Sequence, residues 1–441
     1  MTFERAKTIL LVMLIAASIA LSYLIWEGLL PPAAPSGSRQ PGGTFWGPGV
    51  DPLDLILPAR IVVHLEPDLH STLYPGEPLF TRAWQAALDR LLELGGQRDG
   101  FILETVDQAL WRQTQAEPSL EYVFDFPLPG QVWSRLLDYS HMLGFNQPVK
   151  RMLFQLEPKP ALLLADESAG TIARLPLGSA DNNWPALWEQ LEAAELPYYD
   201  LLYRDQTPFG LYLPRADLTF PLLKTEREQL DPEVVAGSFF ADLSLTRRIS
   251  ERDGATIYTD GRQGLRVWPS GRLEYNAPEQ LAGASLPLSE ILSRAVRFVT
   301  QHGGWPVEMR LAQIKEAAAV KTGVFWRLVF RAYAGGLPVV NTNFGLELRH
   351  SSRGVASYRR QLALPADELA PAKLSSARLQ EYIEPLISAD KKGEPVVDIY
   401  PGYAPEPGSL LLQPIWLLER AGGQIEQIDL KLDLPPGGDP Q

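Results

Sequence analysis

The chain of 441 residues contains no cysteine. Disulfides, cysteine zinc sites and thiol chemistry are excluded together, and a body of this size has enough core to fold without cross-links. Histidine is scarce, with five residues at positions 64, 70, 141, 302 and 350. No HExxH, GxSxG, P-loop or strand-linked GxGxxG occurs. Positive charge is in deficit: 40 Lys and Arg face 53 Asp and Glu, a net charge of −13. That balance argues against a general nucleic-acid surface and against flat adsorption on an anionic leaflet.

Long hydrophobic runs are also missing, with one exception. Ile9 to Trp26 carries no formal charge over 18 residues, the lower end of the length that spans a bilayer, and Gly28 to Leu30 offer an extension. Arg5 and Lys7 precede the run, and the next positive residue is Arg39. The positive-inside rule places residues 1–8 in the cytoplasm and the body outside the cell membrane, behind a single-pass transmembrane helix at 9–27. The run exceeds a signal-peptide core and lacks a clean cleavage site. Ala16, Ala17 and Ala20, with Ser18 and Ser22, form a stripe of small residues that lets two helices approach closely in lipid. Ala and Ser are also ordinary filler in such anchors. Residues 31–50 hold five Pro, five Gly and two Ser, the composition of a semi-extended stem; the whole stem is set at 28–50.

Beyond the stem the length implies several domains, and 39 prolines favour short elements joined by stiff turns. A first α+β region spans 51–204. Arg60 to Leu65 reads as a strand, and Trp84, Leu88, Leu91 and Leu92 fall at helical spacing in Thr81 to Leu94. Leu120 to Phe126 reads as a strand and Trp184 to Ala193 as a helix. A β-rich region at 205–284 holds Asp253-Gly254, Asp260-Gly261 and Pro269-Ser270-Gly271 between short apolar runs, the pattern of a meander. A C-terminal α+β region at 285–435 opens with an amphipathic helix from Leu288 to Val299, and 436–441 forms a tail. Helix, strand, Ala-Gly-Gly and strand recur there, at Ala334-Gly335-Gly336 and Ala421-Gly422-Gly423. Duplicated helix–hairpin units or chance account for the recurrence. The expected fold is α+β, with antiparallel sheets and packed helices.

The residues supply no chemistry. His64 and His70 with Glu66 or Asp68 are thin metal candidates, since no cysteine supports them. Ser388 to Lys391 and Lys321-Thr322-Gly323 imitate elements of penicillin-interacting enzymes, but in reversed order and without an S-D-N element. Asp253 and Asp260 sit in Asp-Gly turns, where a local reason for Asp exists. His302 before Gly303 looks like a cation at a helix C-terminus. Catalytic, cofactor-binding and metal residues are therefore assigned as none, and the chain is read as a protein that is not an enzyme.

Ser238 to Asp242, Arg247-Arg248-Ile249, Glu251 to Gly254, Ile257 to Gly261, Gly264-Leu265-Arg266 and Leu273-Glu274-Tyr275 together resemble the YycH family. Arg5 to Thr8, Pro58 to Val62, Asp398 to Tyr403 and Leu412 to Trp416 extend the resemblance. It implies a membrane-anchored regulator of a WalK (YycG) sensor histidine kinase in Gram-positive bacteria, acting on cell-wall homeostasis through a two-component system. It also implies a YycI-like membrane partner and carries over no catalytic residue. A second reading is an extracytoplasmic module that binds a cell-envelope molecule, which the 11 Trp allow.

Overall fold

The computed structural model describes Leu14 and residues 47–95, 104–130, 132, 148–156, 159–166, 171–177, 184–281, 286–319, 323–340, 344–388, 394–406, 409–428 and 430. The chain divides into two compact units, Met1–Thr44 and Phe45–Gln441. Apart from Leu14, which is helical, the anchor run and the stripe of Ala16, Ala17, Ser18, Ala20 and Ser22 lie outside the described residues. Among the described residues no helix is long and apolar enough to cross a membrane. Within the second unit they form six α-helices and three sheets of antiparallel strands.

The N-terminal sheet comprises β1 (Arg60–Glu66), β2 (Leu69–Leu73), β3 (Glu104–Val106), β4 (Ser119–Leu128), β5 (Val149–Gln155), β6 (Ala161–Asp166), β7 (Thr171–Pro176), β8 (Tyr198–Leu202) and β9 (Leu211–Pro214). Their order is β3-β7-β6-β5-β4-β1-β2-β8-β9. Covering elements include α1 (Pro78–Gly95), α2 (Gln108–Thr114) and α3 (Trp184–Ala193). Phe80, Ala83, Trp84, Ala87, Leu91 and Leu94 form the buried face of α1, the stripe expected of one helical face on a core. Leu92, placed on that face by spacing, points away and is 48% exposed. Asp107 caps α2 by accepting from the Leu110 amide at 3.1 Å.

After β10 (Leu218–Arg227) and α4 (Pro232–Phe239) the chain builds a central sheet. Asp231 caps α4 and Pro232 sits at its first turn, where the missing N–H costs nothing. The meander is β11 (Arg247–Ser250), β12 (Thr256–Thr259), β13 (Gly264–Val267) and β14 (Leu273–Asn276). After α5 (Leu288–Gln301) come β15 (Met309–Ala319), β16 (Gly323–Ala334), β17 (Leu337–Pro338), β18 (Gly345–Ser351) and β19 (Gly354–Gln361). The order is β11-β12-β13-β14-β19-β18-β16-β15, with β17 on β16. This sheet draws strands from both sides of residue 284, because β14 pairs with β19.

The closing sheet is β20 (Ala363–Leu374), β21 (Val396–Pro405), β22 (Leu411–Arg420) and β23 (Ile425–Ile428), with α6 (Ser376–Ser388) between its first two strands. β20 pairs antiparallel with β10, from Leu218↔Leu374 to Arg227↔Ala363. The whole central sheet is thus inserted between two neighbouring strands of the closing sheet. Pro365 and Pro371 lie in β20, an edge strand, where a missing ladder donor is tolerated. Pro385 lies inside α6, which runs on to Ser388. Each Ala-Gly-Gly follows a helix and two long paired strands and leads into a short third strand. Gly336 has φ +77 and a Cβ there would collide with the Pro75 carbonyl, so the turn demands glycine.

Candidate functional site: a cationic sheet face

Strand alternation divides the central sheet into two faces. One register row is Ile314, Leu328, Leu348, Tyr358, Tyr275, Leu265, Tyr258 and Arg248, taken from β15 across to β11. Apart from the terminal Arg248 these residues are buried. Leu288, Ile291, Leu292, Ala295, Val296 and Val299 of α5 are buried too, and Phe298 meets the Tyr358 ring at 5.4 Å.

The opposite face is charged. One row runs Gln313, Val329, Glu347, Arg359, Glu274, Arg266, Ile257, Ile249. Its neighbour runs Lys315, Arg327, Arg349, Ser357, Asn276, Gly264, Thr259, Arg247. Six cations and two carboxylates occupy these rows. Arg327 forks onto Glu347 at 2.8 and 3.0 Å, which holds the Glu347 carboxyl below its usual range through that hydrogen bond. Arg349 reaches the same carboxylate only at 3.9 Å. Glu274 serves Arg272 at 2.5 Å and Arg359 at 3.6 Å. The side chains of Arg272, Arg327, Arg349 and Arg359 are 46, 42, 46 and 65% exposed.

A cleft of about 520 Å³ opens on this face between the arginines and an apolar wall of Val339, Val340 and Phe344. Arg272 of the cleft lining also meets Trp268, whose ring has two guanidinium groups against it, Arg266 at 4.4 Å and Arg272 at 4.5 Å. The Trp268 indole donates to Asp253 at 3.0 Å.

This site has a sequence signal that whole-chain charge conceals. Arg247 to Gln361 contains 17 Lys and Arg against 9 Asp and Glu, while the rest contains 23 against 44. Net charge per region exposes the asymmetry; which arginines share a face depends on register, and β14 meets β19 across some 80 residues of chain.

A second cluster is buried. In the β1–β2 hairpin His64 and His70 are partners, with Nδ1 atoms 2.9 Å apart. His64 Nε2 lies 3.3 Å from Glu121, which also accepts from Arg151 at 2.5 Å and from the Tyr212 hydroxyl at 2.7 Å. Arg151 continues to Asp398 of β21 at 3.2 Å, and Arg60 pairs with the same carboxylate. Burial opposes charge on Glu121, but Arg151, His64 and Tyr212 outweigh it and hold the carboxyl far below its usual range. Burial, reinforced by His64, lowers His70 to about 3. The histidines thus bond to each other, and among the described residues no group of three or more His, Asp and Glu is arranged to hold a metal.

The remaining sequence candidates resolve locally. Asp253 accepts from the Ala255 amide at 3.1 Å and Asp260 from Arg262 at 2.9 Å, so both are turn residues. His302 is not the expected cation: burial lowers it to about 4, and its ring stacks on Phe298 at 4.0 Å. Ser388 ends α6, and Lys391 lies outside the described residues.

No known family profile matches the chain, and no curated protein does. Among solved structures it is similar to the crystal structure of YycH from Bacillus subtilis. The TM-score is 0.65 at 15% identity, covering 87% of this chain and 98% of that one. The chain has a YycH-like fold.

Proposed function

We propose that the chain is a membrane-anchored, single-pass regulator of a two-component system, modulating a WalK/YycG-type sensor histidine kinase in cell-wall homeostasis. The observation that carries this reading is a YycH-like fold across 87% of the chain, together with the YycH-like segment from Ser238 to Tyr275. The N-terminal anchor at residues 9–27 would hold the body outside the membrane, with Ala16, Ala17, Ser18, Ala20 and Ser22 facing a helix of the kinase or of a YycI-like partner. The exposed arginines on the charged face of the central sheet support a binding role.

Kinase phosphorylation in membranes, compared for the full chain and for a chain with a scrambled anchor, tests this. Phosphorylation should change with the native anchor and return to the level without regulator when residues 9–27 are scrambled. Equal phosphorylation in all three membranes would refute it. Because the chain has no cysteine, Ala16→Cys and Ala20→Cys supply single crosslinking handles. Coupling to a helix of the kinase or the partner should appear at these positions, and coupling to lipid alone would remove the proposed contact.

A further inference from the structure

We infer that the charged face of the central sheet is a docking surface for the acidic face of another folded protein, one that is not a second copy of this chain. The inference rests on the reading of this chain as a binding protein, and not on the identity of the kinase.

Charge gives the first argument. Arg247 to Gln361 is basic within a chain whose remainder carries almost twice as many acidic as basic residues. The excess is concentrated on one face, where two carboxylates, Glu274 and Glu347, are shared among Arg327, Arg349, Arg359 and Arg272, and Lys315 stands opposite Arg327. Two carboxylates cannot neutralise five cations. Lys315, Arg327 and Arg349 stand opposite one another on adjacent strands, about 5 Å apart. Like charges in direct register disfavour the isolated sheet. An incoming carboxylate face would relieve that repulsion.

The pairs already present do not block such a partner. Their guanidinium groups are exposed while Glu274 and Glu347 are partly buried, and ion pairs open to solvent contribute only about 0–1 kcal/mol each. The existing carboxylates therefore exchange readily for others, whereas the buried Arg151–Glu121 and Arg60–Asp398 pairs do not.

Composition separates a protein partner from a simple polyanion. Trp268 against Arg266 and Arg272, with Val339, Val340 and Phe344 in the cleft that Arg272 also lines, supplies the residue types enriched at the energetic centres of protein interfaces. A phosphate polymer would use the arginines and leave both apolar anchors idle. Association of two copies through this face would oppose arginine to arginine.

Zero-length carbodiimide coupling tests the surface, because it joins amines only to carboxylates in contact. Full-length chain carrying Arg327→Lys, Arg349→Lys and Arg359→Lys keeps the charge and adds amines beside Lys315. In native membranes these lysines should couple to Asp or Glu of a different protein, identified by sequencing the joined peptides. A second variant, Trp268→Ala in the lysine background, should lower the yield at least about tenfold, the effect of losing an interface anchor. Raising salt from 50 to 200 mM should also lower it. Coupling only to copies of this chain would overturn the inference, and so would no coupling at all. Yield unchanged by Trp268→Ala, but abolished by inorganic polyphosphate and not by poly-L-glutamate at equal charge, would assign the face to a phosphate polymer and overturn it as well. The kinase phosphorylation assay reads the anchor, so the two proposals fail separately.

Discussion

Two clusters of arginine and carboxylate lie in the same body and do different work. At the junction of the N-terminal and closing sheets, Arg60, Arg151, Glu121 and Asp398 are almost wholly inaccessible, and each charge meets at least one opposite charge. On the central sheet, Arg327, Arg349 and Arg359 share too few carboxylates and stand in solvent. The difference is desolvation. A buried pair is weak evidence of net stabilisation, but removing one member strands its partner in a low dielectric. An exposed pair can be broken with little penalty. Full pairing inside fixes the sheets against each other, and partial pairing outside leaves charge available to a partner.

The largest effect should come from breaking the buried cluster. Asp398→Ala leaves both Arg60 and Arg151 without that carboxylate, and urea unfolding should show a loss of about 3–5 kcal/mol. Gly336→Ala comes next: a positive φ and the nearby Pro75 carbonyl make a loss of about 2 kcal/mol or more the expected outcome.

Acidification sharpens the comparison more mildly. His70 and His302 are lowered to about 3 and about 4 by burial, so the unfolded chain binds their protons first. Between the unfolded value near 6.5 and those folded values the unfolded state holds more protons, and stability falls as pH falls. Moving from pH 7 to pH 5 should cost about 1–2 kcal/mol per histidine, read as a drop in Tm. His302→Phe should flatten part of that slope. The smallest stability effect belongs to the exposed face: Arg359→Gln should change unfolding by less than about 1 kcal/mol.

Periodicity made part of this fold legible. Arg60 to Leu65, Trp184 to Ala193, the amphipathic helix from Leu288 and the meander strands all stand where apolar spacing and Asp-Gly turns put them. β20 was not legible, because Pro365, Pro371 and its exposed Asp367 and Glu368 deny it any strand pattern. Only its pairing with β10 makes it a strand. The same holds for the cationic face. Regional charge shows that Arg247 to Gln361 is basic, but the meeting of Glu274 with Arg359 depends on long-range register. His302 failed as a cation for a related reason, since spacing marks a helix end but not that Phe239 and Phe298 enclose the ring.

The most direct test is equilibrium urea unfolding of the full chain carrying Arg327→Gln, Arg349→Gln and Arg359→Gln, set against wild type. If these arginines serve a partner and not the fold, the unfolding free energy should fall by no more than about 1–2 kcal/mol for all three together. A loss as large as that expected for Asp398→Ala would contradict the account, because it would make the exposed array a structural element like the buried one.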